Sequence, residues 1–136
     1  MKLLDFLVCD DIRHEQGDKL SFMGVFGDSI RVNVPVGAPK PISLRLSIFL
    51  RFMIEDADTL PDSCKVIFYS DRSEVQVTDL KFNTSGRPKL VGIPLPCVFP
   101  VSKEATLSLK ATFFSNGQQI FEATSPYELL VQISES

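Results

Sequence analysis

The chain has no tryptophan, a single histidine and no CxxC pair, and each shortage removes a class of chemistry. With only His14, a multi-histidine metal centre is excluded, and a histidine-based dyad has one candidate base. Cys9, Cys64 and Cys97 are odd in number and widely spaced, which argues against a disulfide scaffold, a zinc ribbon and a thioredoxin-type redox site. Each lies in or beside an apolar run, where a free cysteine acts as a small hydrophobe. The charge balance, 14 Lys and Arg against 17 Asp and Glu, supplies no broad basic field, so nucleic-acid binding is not expected. There is no GxGxxG, phosphate loop, GxSxG elbow or HExxH. No apolar run approaches the ~20 residues of a membrane span. The opening MKLLDFLVCDD is broken by Asp5 and ends in acids without a small-residue cleavage site, so a cytoplasmic protein is expected rather than a secreted one. Helical periodicity is missing beyond a turn.

What is present is alternation. In ISLRLSIFLRFMI, Ile42, Leu44, Leu46, Ile48, Leu50, Phe52 and Ile54 take every second position, with Ser43, Arg45, Ser47, Phe49, Arg51 and Met53 between them. A helix would place Leu44 and Leu46 about 200° apart, so this is a half-buried antiparallel strand. ATLSLKATFFSNGQQIFEA reads as a hairpin, because Asn116-Gly117 supplies the two positive-φ residues of a type I′ turn. That turn sets Phe113 opposite Ile120 on an apolar face and leaves Phe114 and Phe121 on the other.

Gly27-Asp28 suggests a second hairpin joining KLSFMGVF to SIRVNV. Counting back from it puts Leu20 and Phe22 on the wrong face, and one extra residue at Gly24 restores the register. A β-bulge is therefore predicted there. Further runs at Leu3–Cys9, Cys64–Tyr69, Glu74–Leu80, Leu90–Phe99 and Glu128–Ile133 are separated by turn clusters, with Pro35, Pro39, Pro41, Pro94 and Pro96 in connections or at strand edges. At 136 residues the chain can bury one sizeable core without staples or metal. The expected fold is all-β: a single-domain antiparallel β-sandwich over 1–136, immunoglobulin-like, with about eight to ten strands.

Polar residues concentrate at VCDDIRHEQGDK. As an enzyme site it offers Cys9 as nucleophile and His14 as base, but nothing in the spacing makes them meet. As a metal site it offers Asp10, Asp11 and Glu15, yet neighbours on extended backbone point opposite ways and the spacing matches no ion-binding loop. A loop fixed by Asp10, Asp11, Arg13 and Glu15, through capping and ion pairing, fits better and could also meet a partner. A second acidic loop, Glu55, Asp56, Asp58 and Asp62, follows the long strand and is a candidate calcium site of the kind found at sandwich ends, although it lacks EF-hand spacing. Outward Phe114 and Phe121, and separately Phe49 and Met53, would form apolar patches suited to an interface.

Cys9, Asp10, Asp11, Ile12, Arg13, Glu15, Lys19, Ser21, Gly24, Phe26 and Gly27 form the pattern CDDIR-x-E…K-x-S-x-x-G-x-F-G, about a seventh of the chain. In it the chain resembles a family of small bacterial β-sandwich proteins, a domain of unknown function. The resemblance implies an immunoglobulin-like sandwich from a bacterium and no catalytic residue. The functional expectation is a non-enzymatic binding or assembly module, without cofactor, using strand edges, outer aromatics or the N-terminal loop on a protein partner or on itself. The alternative is a calcium- or ligand-dependent recognition module using end loops, with a small hydrolase third.

Overall fold

Ile42–Met53 forms the strand its alternation predicts, and it organises the sheet that carries the candidate site. A computed structural model describes all 136 residues and contains ten strands and no helix. They are β1 (Lys2–Glu15), β2 (Lys19–Val25), β3 (Ser29–Val34), β4 (Ile42–Met53), β5 (Ser63–Ser70), β6 (Ser73–Lys81), β7 (Leu90–Val101), β8 (Ala105–Ser115), β9 (Gln118–Thr124) and β10 (Leu129–Glu135). One sheet has the order β2-β1-β4-β7. The other runs β3-β10-β8-β5-β6, with β9 and β10 both pairing with β8. Because β5 pairs with β8 from Leu107 to Phe114, β9 and β10 lie end to end along the opposite edge.

The two sheets pack face to face without closing into a barrel. Leu46, Ile48, Leu50 and Phe52 of β4 enter the core from one side; Leu107, Leu109, Ala111 and Phe113 of β8 enter from the other. Aromatic pairs join the layers: Phe52 with Phe113 at 4.6 Å and Phe68 with Phe99 at 5.8 Å between ring centroids. The three free cysteines are buried, and Cys64 and Cys97 belong to this core.

Three expectations are corrected. First, β2 and β3 are not a hairpin. The Phe26 N–H donates to the Val8 carbonyl in one sheet, and the Asp28 carbonyl accepts from the Leu130 N–H in the other. Gly27-Asp28 is thus a crossing between layers, and β3 pairs in parallel with β10. The first hairpin is β1–β2, turning through Gln16, Gly17 and Asp18 with positive φ at the last two. Second, no residue is inserted at Gly24, since Cys9 opposes Val25 and Asp11 opposes Met23 in one register. Gly24 is nonetheless a backbone anomaly, with φ at +65°. Third, the β8–β9 hairpin turns at Asn116-Gly117 as predicted, but its register shifts between Phe113 and Phe114. Phe121 consequently opposes Phe113 and rotates onto the core, 6.2 Å from Phe52. Phe114 stays half-buried, so the two form no common outer patch.

β7 is an edge strand that cannot accept a further strand along most of its length. Pro94, Pro96 and Pro100 have no N–H and must direct that position away from β4, toward the free edge. Val98, at the same parity, donates its N–H to Gln76 Oε1 of β6 at 3.3 Å. The edge is therefore both stripped of donors and bridged to the other sheet.

Candidate functional site

Residues along β1 fix the geometry of the site. In its first half Asp5, Leu7 and Cys9 stand opposite Arg51, Phe49 and Ser47 of β4, on the outer face of the sheet. In its second half Ile12 and His14 stand opposite Phe22 and Leu20 of β2. On a straight strand the Ile12–Phe22 row would lie roughly 16 Å from the Leu7–Phe49 row. The Phe22 and Phe49 rings are 5.0 Å apart. β1 and β2 therefore bend together and fold residues 11–23 back over the outer face as a flap.

The bend lies at Asp10 and Gly24, between the last regular pair on the sheet and the first on the flap. The left-handed φ of Gly24 suits glycine, and so does its neighbour: a Cβ would lie 3.0 Å from Asp10 Cγ and 3.3 Å from its Cβ. Cys9, at the inside of the bend, is wholly buried although it belongs to the outer face. Its thiol lies 3.4 Å from the Asp11 carbonyl and 3.5 Å from that of Ser47.

Between flap and sheet lies an open cleft of about 650 Å³. The sheet contributes Asp5, Leu7, Phe49, Arg51, Gly92 and Pro94. The flap contributes His14, Glu15, Asp18, Lys19, Leu20 and Phe22. Gly92 makes room for the Phe49 ring, because a Cβ there would meet two ring atoms at 3.2 Å. Arg51 Nε and Asp5 Oδ2 are 2.5 Å apart, so the sheet's two charges neutralise one another. Glu15 stands opposite Lys19 at the flap tip. The cleft thus joins an apolar floor to a rim whose charges largely compensate. A second hollow of about 490 Å³ includes Asp10, Asp11, Arg45 and Pro96 in its lining.

This geometry redistributes the candidates. Asp10, Asp11, Arg13 and Glu15 are not a loop: all four lie within the continuous β1. A strand prevails because its N–H and C=O groups pair with β2 as far as the Glu15–Lys19 pair. Asp10 sits at the bend, Asp11 and Arg13 pair on the exposed flap at 3.4 Å, and only Glu15 lines the larger cleft. Phe49 is buried beneath Phe22 rather than displayed, and Met53 is half-buried, so neither offers the expected outer patch. Leu7, Leu20, Phe22, Arg51 and Gly92 were missed as site residues. The available signal was Gly24, a glycine inside a strand pattern, which marks a bend rather than an inserted residue.

Cys9 and His14 do not form a dyad. Four residues of extended chain, about 13 Å, separate His14 from the bend, and Cys9 does not line the cleft. Burial raises the Cys9 thiol, with the Asp10 and Asp11 carboxylates adding to the shift. Burial also pushes Cys64 and Cys97 up to about 12.

In the second acidic segment, Asp58 Oδ2 accepts from the Met1 ammonium at 2.7 Å and from the Glu55 N–H at 2.6 Å. Those two donors hold the Asp58 carboxyl below its ordinary value. Asp62 accepts from the Asn116 N–H at 2.9 Å. These acids tie the first strand and the β8–β9 turn to the segment, and nowhere do three His, Cys, Asp or Glu side chains converge as a metal site.

No protein-family model and no curated protein matches the chain.

Proposed function

We propose that the protein is a non-enzymatic binding module whose site is the cleft beneath the β1–β2 flap. The observation that carries this reading is the 650 Å³ space itself, floored by Leu7, Leu20, Phe22 and Phe49 and rimmed by charges that largely compensate. That volume falls within the ~300–1,000 Å³ of small-ligand sites. A binding role without chemistry accords with the buried thiols and with a lone His14 that has no nucleophile beside it. Assembly through these aromatics is disfavoured because Phe49 is buried and Phe114 and Phe121 are half-buried without a common outer patch, and β7 is closed to strand addition along most of its length.

The finer fold reading is an immunoglobulin-like layout. Its support is that β4 and β7 share one sheet while β5, β8 and β10 share the other, as strands B and E and strands C, F and G do in that architecture. We extend the family resemblance on the same footing: its pattern residues Cys9, Asp10 and Gly24 are those that make the bend. A bacterial, cytoplasmic setting is part of this reading, and the three free cysteines suit a reducing compartment.

The test is titration of ¹⁵N-labelled protein with a library of small uncharged fragments. Saturable shifts confined to residues 5–22, 49–51 and 92–94, with the fragments recovered unchanged, are expected. Shifts that never saturate, or that scatter over both sheets, refute the cleft as the site.

A further inference from the structure

The flap is joined to the rest of the molecule in an unusual way. No hydrogen bond or ion pair ties residues 12–23 to β4 or β7: the backbone pairing of β1 with β4 stops at Cys9, and the one side-chain ion pair of the flap, Arg13 with Asp11, is internal to it. The aromatic contact that joins it to the sheet is that of Phe22 with Phe49. At its base, Gly24 has the backbone freedom of a residue without Cβ, and no pairing joins it to Asp10. A hairpin that keeps its own ladder, bends at a glycine and meets the sheet through an aromatic pair rather than a backbone ladder can swing as a unit.

We propose that the β1–β2 flap is a hinged lid, pivoting at Asp10–Gly24 and latched by Phe22 on Phe49, that admits an uncharged apolar group to the cleft. This deepens, and rests on, the reading of the cleft as the binding site. The ligand class follows from the lining. Arg51 is already paired with Asp5 at 2.5 Å, and Lys19, the one other Lys or Arg of the lining, shares the rim with the carboxylates of Glu15 and Asp18, so the cleft presents no cationic surface to select an anion. Asp18 at the rim leaves a small negative excess, which further disfavours an anionic ligand. The floor of Leu7, Leu20, Phe22 and Phe49 rewards burial of carbon. An entering group competes with Phe22 for the face of Phe49, so binding and lid release are coupled.

Because the native chain has no tryptophan, F22W places a sole indole on the latch. Acrylamide quenching of that indole reports the lid, far-UV circular dichroism reports the fold, and the uncharged dye Nile red probes the cleft. The lid predicts that quenching rises well below the global melting transition. It also predicts that Nile red binds saturably at one site per chain and raises indole exposure as it does. F22W/F49S should increase the open fraction about tenfold, as expected when an aromatic latch is removed. L20E, with its dichroism spectrum preserved, should abolish Nile red uptake.

Two results overturn the proposal and separate its parts. If the indole becomes accessible only together with global unfolding, in both F22W and F22W/F49S, there is no lid, whether or not the dye binds. If the lid opens but Nile red fails to saturate, or L20E takes up as much as the native chain, the cleft is not the binding site.

Discussion

Replacing Gly24 by alanine is the sharpest test of the bend, because the structure separates two costs. The first is conformational: an L-residue at φ +65° occupies the left-handed region, costing about 1–2 kcal/mol. The second is steric. A new Cβ would crowd the Asp10 side chain at Cγ and Cβ as well as at its terminal oxygen, so the whole carboxylate must rotate. Displacing a side chain from its rotamer costs about 1 kcal/mol. G24A should therefore lose about 2–3 kcal/mol in urea unfolding followed by circular dichroism, with an unchanged denaturant slope. D10A alone removes an exposed side chain without a hydrogen-bond role and should shift stability by less than about 0.5 kcal/mol. In D10A/G24A the steric part disappears and the conformational part remains, a favourable coupling of about 1 kcal/mol. G24N should recover part of the first cost, since asparagine tolerates left-handed backbone better than alanine does. Additivity of D10A and G24A within about 0.3 kcal/mol would refute the placement of Asp10 over Gly24. A neutral G24A would refute the left-handed bend itself.

Four further outcomes follow from the same geometry. Restoring backbone donors to the β7 edge with P94V/P96V/P100V should produce concentration-dependent self-association in light scattering, whereas unchanged monodispersity would show that the prolines do not protect that edge. F121S should destabilise by about 2–3 kcal/mol through lost packing on Phe52 and Phe113, and F114S by less than half of that, reversing the equivalence suggested by the hairpin pattern. All three thiols should resist Ellman's reagent in the folded protein and react together in denaturant; fast labelling of Cys9 would revive a nucleophile at the bend. Asp58 is held below its ordinary 3.8, so its contribution is present above that pH and is lost as the pH falls through the lowered folded value. D58N should therefore be less stable at neutral pH and show a weaker acid dependence below pH 3.8; a D58N profile parallel to the native one over that range would contradict the contact with Met1.

Short-range signals were sufficient for most of the strands. Thirteen residues of alternation from Ile42 to Ile54 leave no other periodicity that keeps the apolar set on one face, and β4 follows it to Met53. Asn116-Gly117 adopts positive φ at both positions because the turn chemistry is local. The free, buried cysteines and the absence of helix were likewise legible in the pattern. Register was less so. The slip between Phe113 and Phe114 depends on what Phe121 gains against Phe52, a residue nearly 70 positions away in the chain.

The chain's shortages and its alternation by themselves determined an all-β protein with one core, since the period of apolar residues is set by backbone geometry and needs no partner. Which strand pairs with which was decided only in three dimensions. Gly27-Asp28 has the composition of a hairpin turn, but the ladder offered by β10 takes β3 into the other sheet. The candidate site was likewise hidden. Leu7 and Phe22 belong to different halves of one hairpin, and they meet around the cleft only because Gly24 permits a fold that a straight ladder forbids. The sequence carried the glycine that permits the bend. That the hairpin closes over its own sheet, with Phe22 against Phe49 and a space beneath, appears only in three dimensions.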